Sequence, residues 1–200
     1  MKDLHTRVEK LEKENSFLRR HCKRQSKKID IITLLKTRPA APSTLFLPWF
    51  KECILAKVHA HLETVFQLNL TTAIQSLLKQ TAAAAMENPL SIPLYVHPQR
   101  SGEMYAYIES QQWIQLTPDQ IDGQIRRIMR QFLADFDQFW VQANRAKIET
   151  EESFRDQYVH YYKKVLGEER VSEEVMNKKL RYFWLQEWRN VQPPVLMPKN

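Results

Sequence analysis

Residues Arg19-Arg20-His21-Cys22-Lys23-Arg24-Gln25-Ser26-Lys27-Lys28 hold six Lys or Arg and no acid. Such a run draws nucleic-acid phosphates, an anionic surface or an acidic protein, although most charge runs on helices are simply solvated faces. The other chemistry-bearing groups are sparser. His59 and His61 stand two apart, which on a helix points them about 200° from one another, so they cannot share a metal there. They read as one core-edge and one surface histidine. Asp119 with Asp122 and Asp135 with Asp137 are the carboxylate pairs. Asp119 is accounted for as a first-turn acid at a helix N-terminus, and Asp135 and Asp137 as members of a polar helix side. No Ser or Cys sits in a nucleophile motif. Gly102, Gly123 and Gly167 are too isolated to build a phosphate cradle. The sequence therefore assigns no catalytic residue, no metal ligand and no cofactor, and predicts a protein that is not an enzyme.

Near the C-terminus, Tyr158, Tyr161, Tyr162, Tyr182, Phe183, Trp184 and Trp188 alternate with Lys163, Lys164, Lys178, Lys179, Arg181 and Arg189. That mixture resembles a base-stacking platform for single strands. Helical spacing favours core packing for the same rings, and it leaves Tyr182 as the most exposed of them.

The elements that carry these groups begin with a heptad seam. Leu4, Leu11, Leu18, Gln25 and Ile32 fall at d, and Val8, Asn15, Cys22 and Ile29 at a. A 3.5-residue apolar repeat drives left-handed supercoiling. Val at a, Leu at d and a single Asn at a select a parallel two-stranded coil, because facing amides satisfy each other only in register. Arg7 at g then faces Glu12 at e of the partner, and Glu14 faces Arg19. The seam resembles the zippers of basic leucine-zipper transcription factors in pairing geometry alone, since a DNA-reading zipper needs its basic region on the N-terminal side. Of the basic run, Arg20, Lys23, Arg24 and Lys27 occupy outer positions, and with Arg19 and Lys28 they form the candidate anion contact.

Charge follows the same division. Residues 1–38 hold 12 Lys or Arg and 5 Asp or Glu, whereas the remainder holds 18 of each, so the whole net charge of +7 belongs to the arm. With 43% hydrophobic and 10% aromatic residues the remainder can bury a real core. The charged opening, Met1-Lys2-Asp3, predicts no secretory signal, and the least charged stretch, 64–78, is too short and polar to span a bilayer. Two distant cysteines suit an intracellular, reducing compartment.

The organisation expected is a coiled-coil arm at 1–37 and a Pro-containing linker at 38–44. An α-rich domain follows at 45–190, with a β-hairpin at 92–115, and then a tail at 191–200. Ser43 or Thr44 is placed as cap of a helix with apolar positions from Trp49 to Phe66. Asn69 begins another, which Asn88-Pro89 stops. Ile92–Val96 and Met104–Ile108 read as strands, with Trp113-Ile114 as a short third. Thr117-Pro118 opens a long amphipathic helix reaching Ala143. Thr150 and Ser172 are assigned as caps of two more, the first ended by Gly167. The fold class is mainly α (α+β): a parallel dimeric coiled coil, then a compact helical domain with a small antiparallel hairpin or three-stranded meander.

The order of these pieces resembles a family of uncharacterised proteins from large and giant DNA viruses. The likeness rests on Lys28-Ile29-Asp30-Ile31-Ile32-Thr33-Leu34-Leu35 after a coiled coil and on Leu47-Pro48-Trp49-Phe50. It extends to His61-Leu62 with Val65-Phe66, Ile92-Pro93-Leu94-Tyr95-Val96, Met104–Ile108 followed by Trp113, and the long helix to Trp140. It spans about residues 28–189, and this chain departs from it around Gln80 to Met86. The resemblance implies a shared C-terminal helical domain behind a variable N-terminal module, and a location in host cytoplasm or virion. It supplies no catalytic residue. The expected role is a non-enzymatic dimeric assembly or scaffolding protein, whose partners are a second copy and an acidic protein or nucleic acid bound through the arm. A nucleic-acid-associated protein is the alternative.

Facing a positions bring two Cys22 thiols together in a parallel dimer. Mild oxidation of the full chain should give a covalent dimer on non-reducing electrophoresis that Cys22→Ser removes. Loss with Cys53→Ser instead would overturn the register or the parallel orientation.

Overall fold

The computed structural model describes residues 30–37, 41–89, 91–98, 100, 102–167 and 172–191, and divides the chain into two units, residues 1–37 and 38–200. In the first unit the described element is helix α1 (Ile31–Lys36). Asp30 caps it from an extended backbone (φ −68°, ψ 103°), its carboxylate accepting from the Ile32 N–H and the Thr33 hydroxyl. Both bonds hold that carboxyl below the usual carboxylate range, with the Thr33 contact the largest cause. Asp30 thus stands at the start of α1, and the seam expected up to Ile29 lies outside the described residues. Asp competes for nearby backbone N–H groups and so starts helices more readily than it continues them. Ile31 and Leu35 are the buried residues of α1, and Ile32 is partly exposed.

The second unit opens with α2 (Phe46–Cys53), whose cap position is Leu45 and receives no side-chain bond. Ser43, expected to cap, instead pairs its N–H and hydroxyl with the Ser91 carbonyl. The apolar run predicted as one helix to Phe66 is three pieces: α2, a 3₁₀ segment (Leu55–His61) and α3 (Leu62–Gln67). The tighter 3₁₀ winding keeps Ile54 and Val58 wholly buried and turns His61 inward while His59 stays exposed. Asn69 caps α4 (Leu70–Ala85) by accepting the Thr72 N–H at 2.8 Å.

Three antiparallel strands follow in the order β1 (Leu94–Val96), β2 (Met104–Ile108), β3 (Gln112–Leu116). Tyr95 pairs with Tyr105, and Tyr107 with Trp113. All of β1 is buried, which accounts for its unbroken apolar character. The ladder starts at Leu94 and not Ile92, although Pro93 still contributes its carbonyl to the Tyr107 N–H.

Thr117 begins α5 (Pro118–Asp135) with a complete capping box: its hydroxyl accepts the Gln120 N–H and the Gln120 side chain accepts the Thr117 N–H. Ile121, Ile125, Ile128 and Phe132 form the buried stripe. The helical path then widens into a π segment (Phe136–Val141) and continues as α6 (Gln142–Thr150). Thr150 is the last residue of α6, its hydroxyl donating to the Ala146 carbonyl. Glu151, in an extended conformation, takes the cap position assigned to Thr150 and opens α7 (Glu152–Leu166). Gly167 closes α7 at φ +75°, a conformation that glycine adopts without strain. Ser172 caps α8 (Glu173–Arg189).

The core sits where α4, α5 and β1 converge on α8. Trp184 and Trp188 are fully buried there. The first stacks on Phe50 at 6.1 Å, and the second meets Trp49 edge-on at 5.8 Å. Trp184→Ala should lower unfolding free energy by about 3–5 kcal/mol in urea titration. Tyr182→Ala, on the 58% exposed ring of the same helix, should change it by less than about 0.5 kcal/mol.

Candidate functional site

The residues of the expected seam from Leu4 to Ile29, and the basic positions Arg19, Arg20, Lys23, Arg24, Lys27 and Lys28, lie outside the described residues. So does Cys22. Candidate sites on the second unit are therefore built from other groups.

The expected stacking platform is divided. Trp184 and Trp188 belong to the core, and Tyr182 lies on the surface, where its hydroxyl accepts from the Gln186 side chain. Tyr158, Tyr161 and Tyr162 join a second cluster built on the π segment. Phe136 and Trp140 stack at 5.4 Å with 12° between planes, and Tyr161 lies on Phe66 at 4.1 Å. Tyr158 extends the stack at 6.0 Å from Phe136, and Tyr162 closes it at 5.7 Å from Tyr158. Lys164 donates to the Phe66 carbonyl at 2.6 Å, an unshared acceptor near the C-terminal end of α3. These rings are occupied with each other, which is the packing role that their helical spacing favours.

A second constellation lies at the β1–β2 connection. Tyr105 donates to Glu103 at 2.7 Å, Arg100 approaches the same carboxylate at 3.5 Å, and the Arg100 N–H donates to His97 Nδ1 at 3.2 Å. Burial, then the Glu103 hydrogen bond, pushes the Tyr105 phenol far above its ordinary range, so it remains a donor at neutral pH. Burial and the Arg100 charge lower the His97 pKa, against a smaller opposing pull from Glu103. The set staples a turn, and it keeps the Tyr105 phenol and the His97 ring in their neutral forms beside the Arg100–Glu103 ion pair. Burial likewise raises the Cys53 thiol, the opposite of what a nucleophile needs.

The carboxylate pairs also separate. Asp122 takes the Arg181 guanidinium at 2.6 Å, and Arg181 also donates to the Pro118 carbonyl, which pins α8 to the start of α5. Asp135, expected on a polar side, is 5% exposed and accepts from Gln131 at 2.7 Å, whereas Asp137 faces solvent. The widening into the π segment begins one residue later, at Phe136, as the chain turns out of the α5 stripe.

Apolar and charged surface meet in a groove of about 1020 Å³ between α2, the 3₁₀ segment and α5. Leu47, Pro48, Leu55 and Ala134 line it, with Lys51, Arg127 and Arg130 among its charged groups and Glu52 and Glu109 beside them. Among the described residues none of these five makes an ion pair. Arg127 and Arg130, one turn apart on α5, can together grip a carboxylate or phosphate, and the apolar floor suits a side chain next to it. Sequence inspection missed these residues. Arginines at i and i+3 on a polar helix face look solvated, and the opposite wall comes from more than seventy positions upstream.

His61 and His97 give a pH signature. Burial is the main cause that lowers both pKa values from 6.5, with Gln80 partly offsetting it at His61. The unfolded chain therefore binds more protons as pH falls through 6.5, so their contribution to stability is complete above that value and declines below it. Melting temperature should fall from pH 7 to 5, and the fall should be shallower in the double variant His61→Gln/His97→Gln. An equal slope in the variant would show that other groups set it.

No family model matches this chain, and neither the characterised proteins nor the solved structures compared with it give a match.

Proposed function

We propose that the chain is a non-enzymatic dimeric assembly protein of the large-DNA-virus type that its motif order resembles. Its N-terminal arm pairs two copies, and each α-rich domain offers the groove at Arg127 and Arg130 to an acidic protein segment. The groove carries the reading, since two guanidinium groups in no ion pair among the described residues, over an apolar floor, suit recognition of a carboxylate-bearing side chain or chain end. The placement of the shifted titratable groups of the second unit supports it further. None of His61, His97, Tyr105 and Cys53 lines that groove. Catalytic groups with tuned pKa values are instead collected at one cleft. No helix among the described residues is long and apolar enough to cross a membrane.

A second reading, nucleic-acid association, draws on one observation, the confinement of the entire +7 to residues 1–38. Phosphate contacts by Arg20, Lys23, Arg24 and Lys27 would release counterions, so log affinity would fall with log salt at about −0.9 per contact. An outer helical face would bind all sequences alike.

Light scattering on the full chain should give the mass of two chains, and Leu11→Asp/Leu18→Asp should give that of one. A single-chain mass for the unaltered protein at high concentration overturns the dimeric reading. Replacing Arg20, Lys23, Arg24 and Lys27 by Gln should leave nucleic-acid retention across a salt series unchanged. A flattened salt slope in that variant would establish the second reading in place of the first.

A further inference from the structure

Helix α7 has two apolar sides. Tyr158, Tyr161 and Val165 face the aromatic cluster and the core. Val159, Tyr162 and Leu166 recur at i, i+3 and i+7 and remain open, at 48%, 38% and 46% exposure. On one flank of this second stripe lie Asp156 and Lys163, seven positions apart and both exposed. Neither makes an ion pair among the described residues. Antiparallel α6, which has no buried residue of its own, packs beside α7 without covering the stripe.

We propose that the Val159–Tyr162–Leu166 stripe docks on the same stripe of a second copy, with the two α7 helices antiparallel about a two-fold axis between His160 and Tyr161. Antiparallel helices join an a position of one to a d position of the other, and bring the two e flanks face to face. With Val159 and Leu166 at a and Tyr162 at d, Val159 of each copy meets Tyr162 of the other. Asp156 and Lys163 are then the e residues, and each faces its opposite charge across the seam, twice by symmetry. Leu166 meets Arg155, whose methylenes cover it while the guanidinium reaches solvent. A parallel alignment fails this test of charge. It sets e against g, and the g residues Tyr158 and Val165 are turned toward their own domain.

One short stripe falls well below the roughly 1,600 Å² of a standard interface, so it cannot hold two free chains together. The proposal therefore rests on the reading that the arm pairs two copies, which raises the local concentration of one α7 around the other to the millimolar range. The arm supplies affinity, and α7 fixes the orientation of the two domains.

The test uses equal amounts of ¹⁴N- and ¹⁵N-labelled full chain, a zero-length carbodiimide cross-linker, peptide mass spectrometry and light scattering on the same sample. Within one helix Asp156 and Lys163 stand about 10.5 Å apart, too far for a direct amide, so their linkage reports contact between copies. A mixed-isotope peptide joining Asp156 to Lys163 is expected. The swap Asp156→Lys/Lys163→Asp should retain the link with the roles reversed. Val159→Gln removes an apolar layer from both copies and should lower its yield about ten-fold at unchanged mass. A two-chain mass without the link overturns the α7 pairing and leaves the arm reading intact. A single-chain mass overturns both, and an undiminished link in Val159→Gln overturns the stripe as its cause.

Discussion

Burial of α8 is the constraint on which the α-rich unit depends. Leu180, Trp184 and Trp188, spaced four apart, are each fully buried, and α4, α5 and β1 all rest on this one ridge. A tryptophan brings more apolar area to a core than any other side chain, and its flat ring demands a neighbour of matching shape. Phe50 and Trp49 of α2 supply those neighbours, so the first helix of the unit and the last are locked together through aromatic contacts. Arg181 then ties the ridge to the start of α5 through Asp122, with both charges mostly withdrawn from water. Removing either partner would strand the other in a poorly solvated position, so the pair fixes geometry more than it adds net stability.

A second aromatic nucleus forms where α5 widens into the π segment. A π turn places an extra residue in the helical path and re-aims the side chains after it. Here it sets Phe136 and Trp140 face to face and opens a surface on which α7 lays three tyrosines. The result is a helical hairpin of α6 and α7 anchored by ring stacking at one face and solvent-facing elsewhere. Such a hairpin can carry exposed apolar groups such as Val159 and Leu166 without loosening the domain, because its anchoring residues lie on the other side of the helix.

Charge is distributed unequally between the two units. The second unit carries nearly balanced charge, so its electrostatics are local: a guanidinium pair at a groove, and an acid and a base along α7. Local pairs of this sort select partner and orientation more than they add affinity. On the proposed assembly role that division is useful. In that proposal pairing strength resides in the arm, while the domains carry recognition. The buried polar groups, His61, Asp135 and the Tyr105–Glu103 pair, support the folded shape itself.

Much of the second unit was legible from local chemistry. Asn69, Thr117 with Pro118 and Gln120, Gly167 and Ser172 mark helix ends because a cap or a left-handed residue acts within a few positions of itself. Alternation in Met104–Ile108 likewise declared a strand, and the antiparallel order of three short strands followed from short connections. At particular places sequence pattern misled. The run from Trp49 to Phe66 reads as one helix, yet packing winds its middle as a 3₁₀ segment. Asp135 reads as polar surface and is buried with Gln131. Thr150 looks like a cap and instead ends α6. The groove at Arg127 and Arg130 was invisible, because its walls come from α2 and α5, and nothing local to either states that they meet. Capping and turn chemistry depend on neighbours in the chain and are written into the sequence; burial, and the company that a charge keeps, depend on neighbours in space and are fixed only when the whole chain folds.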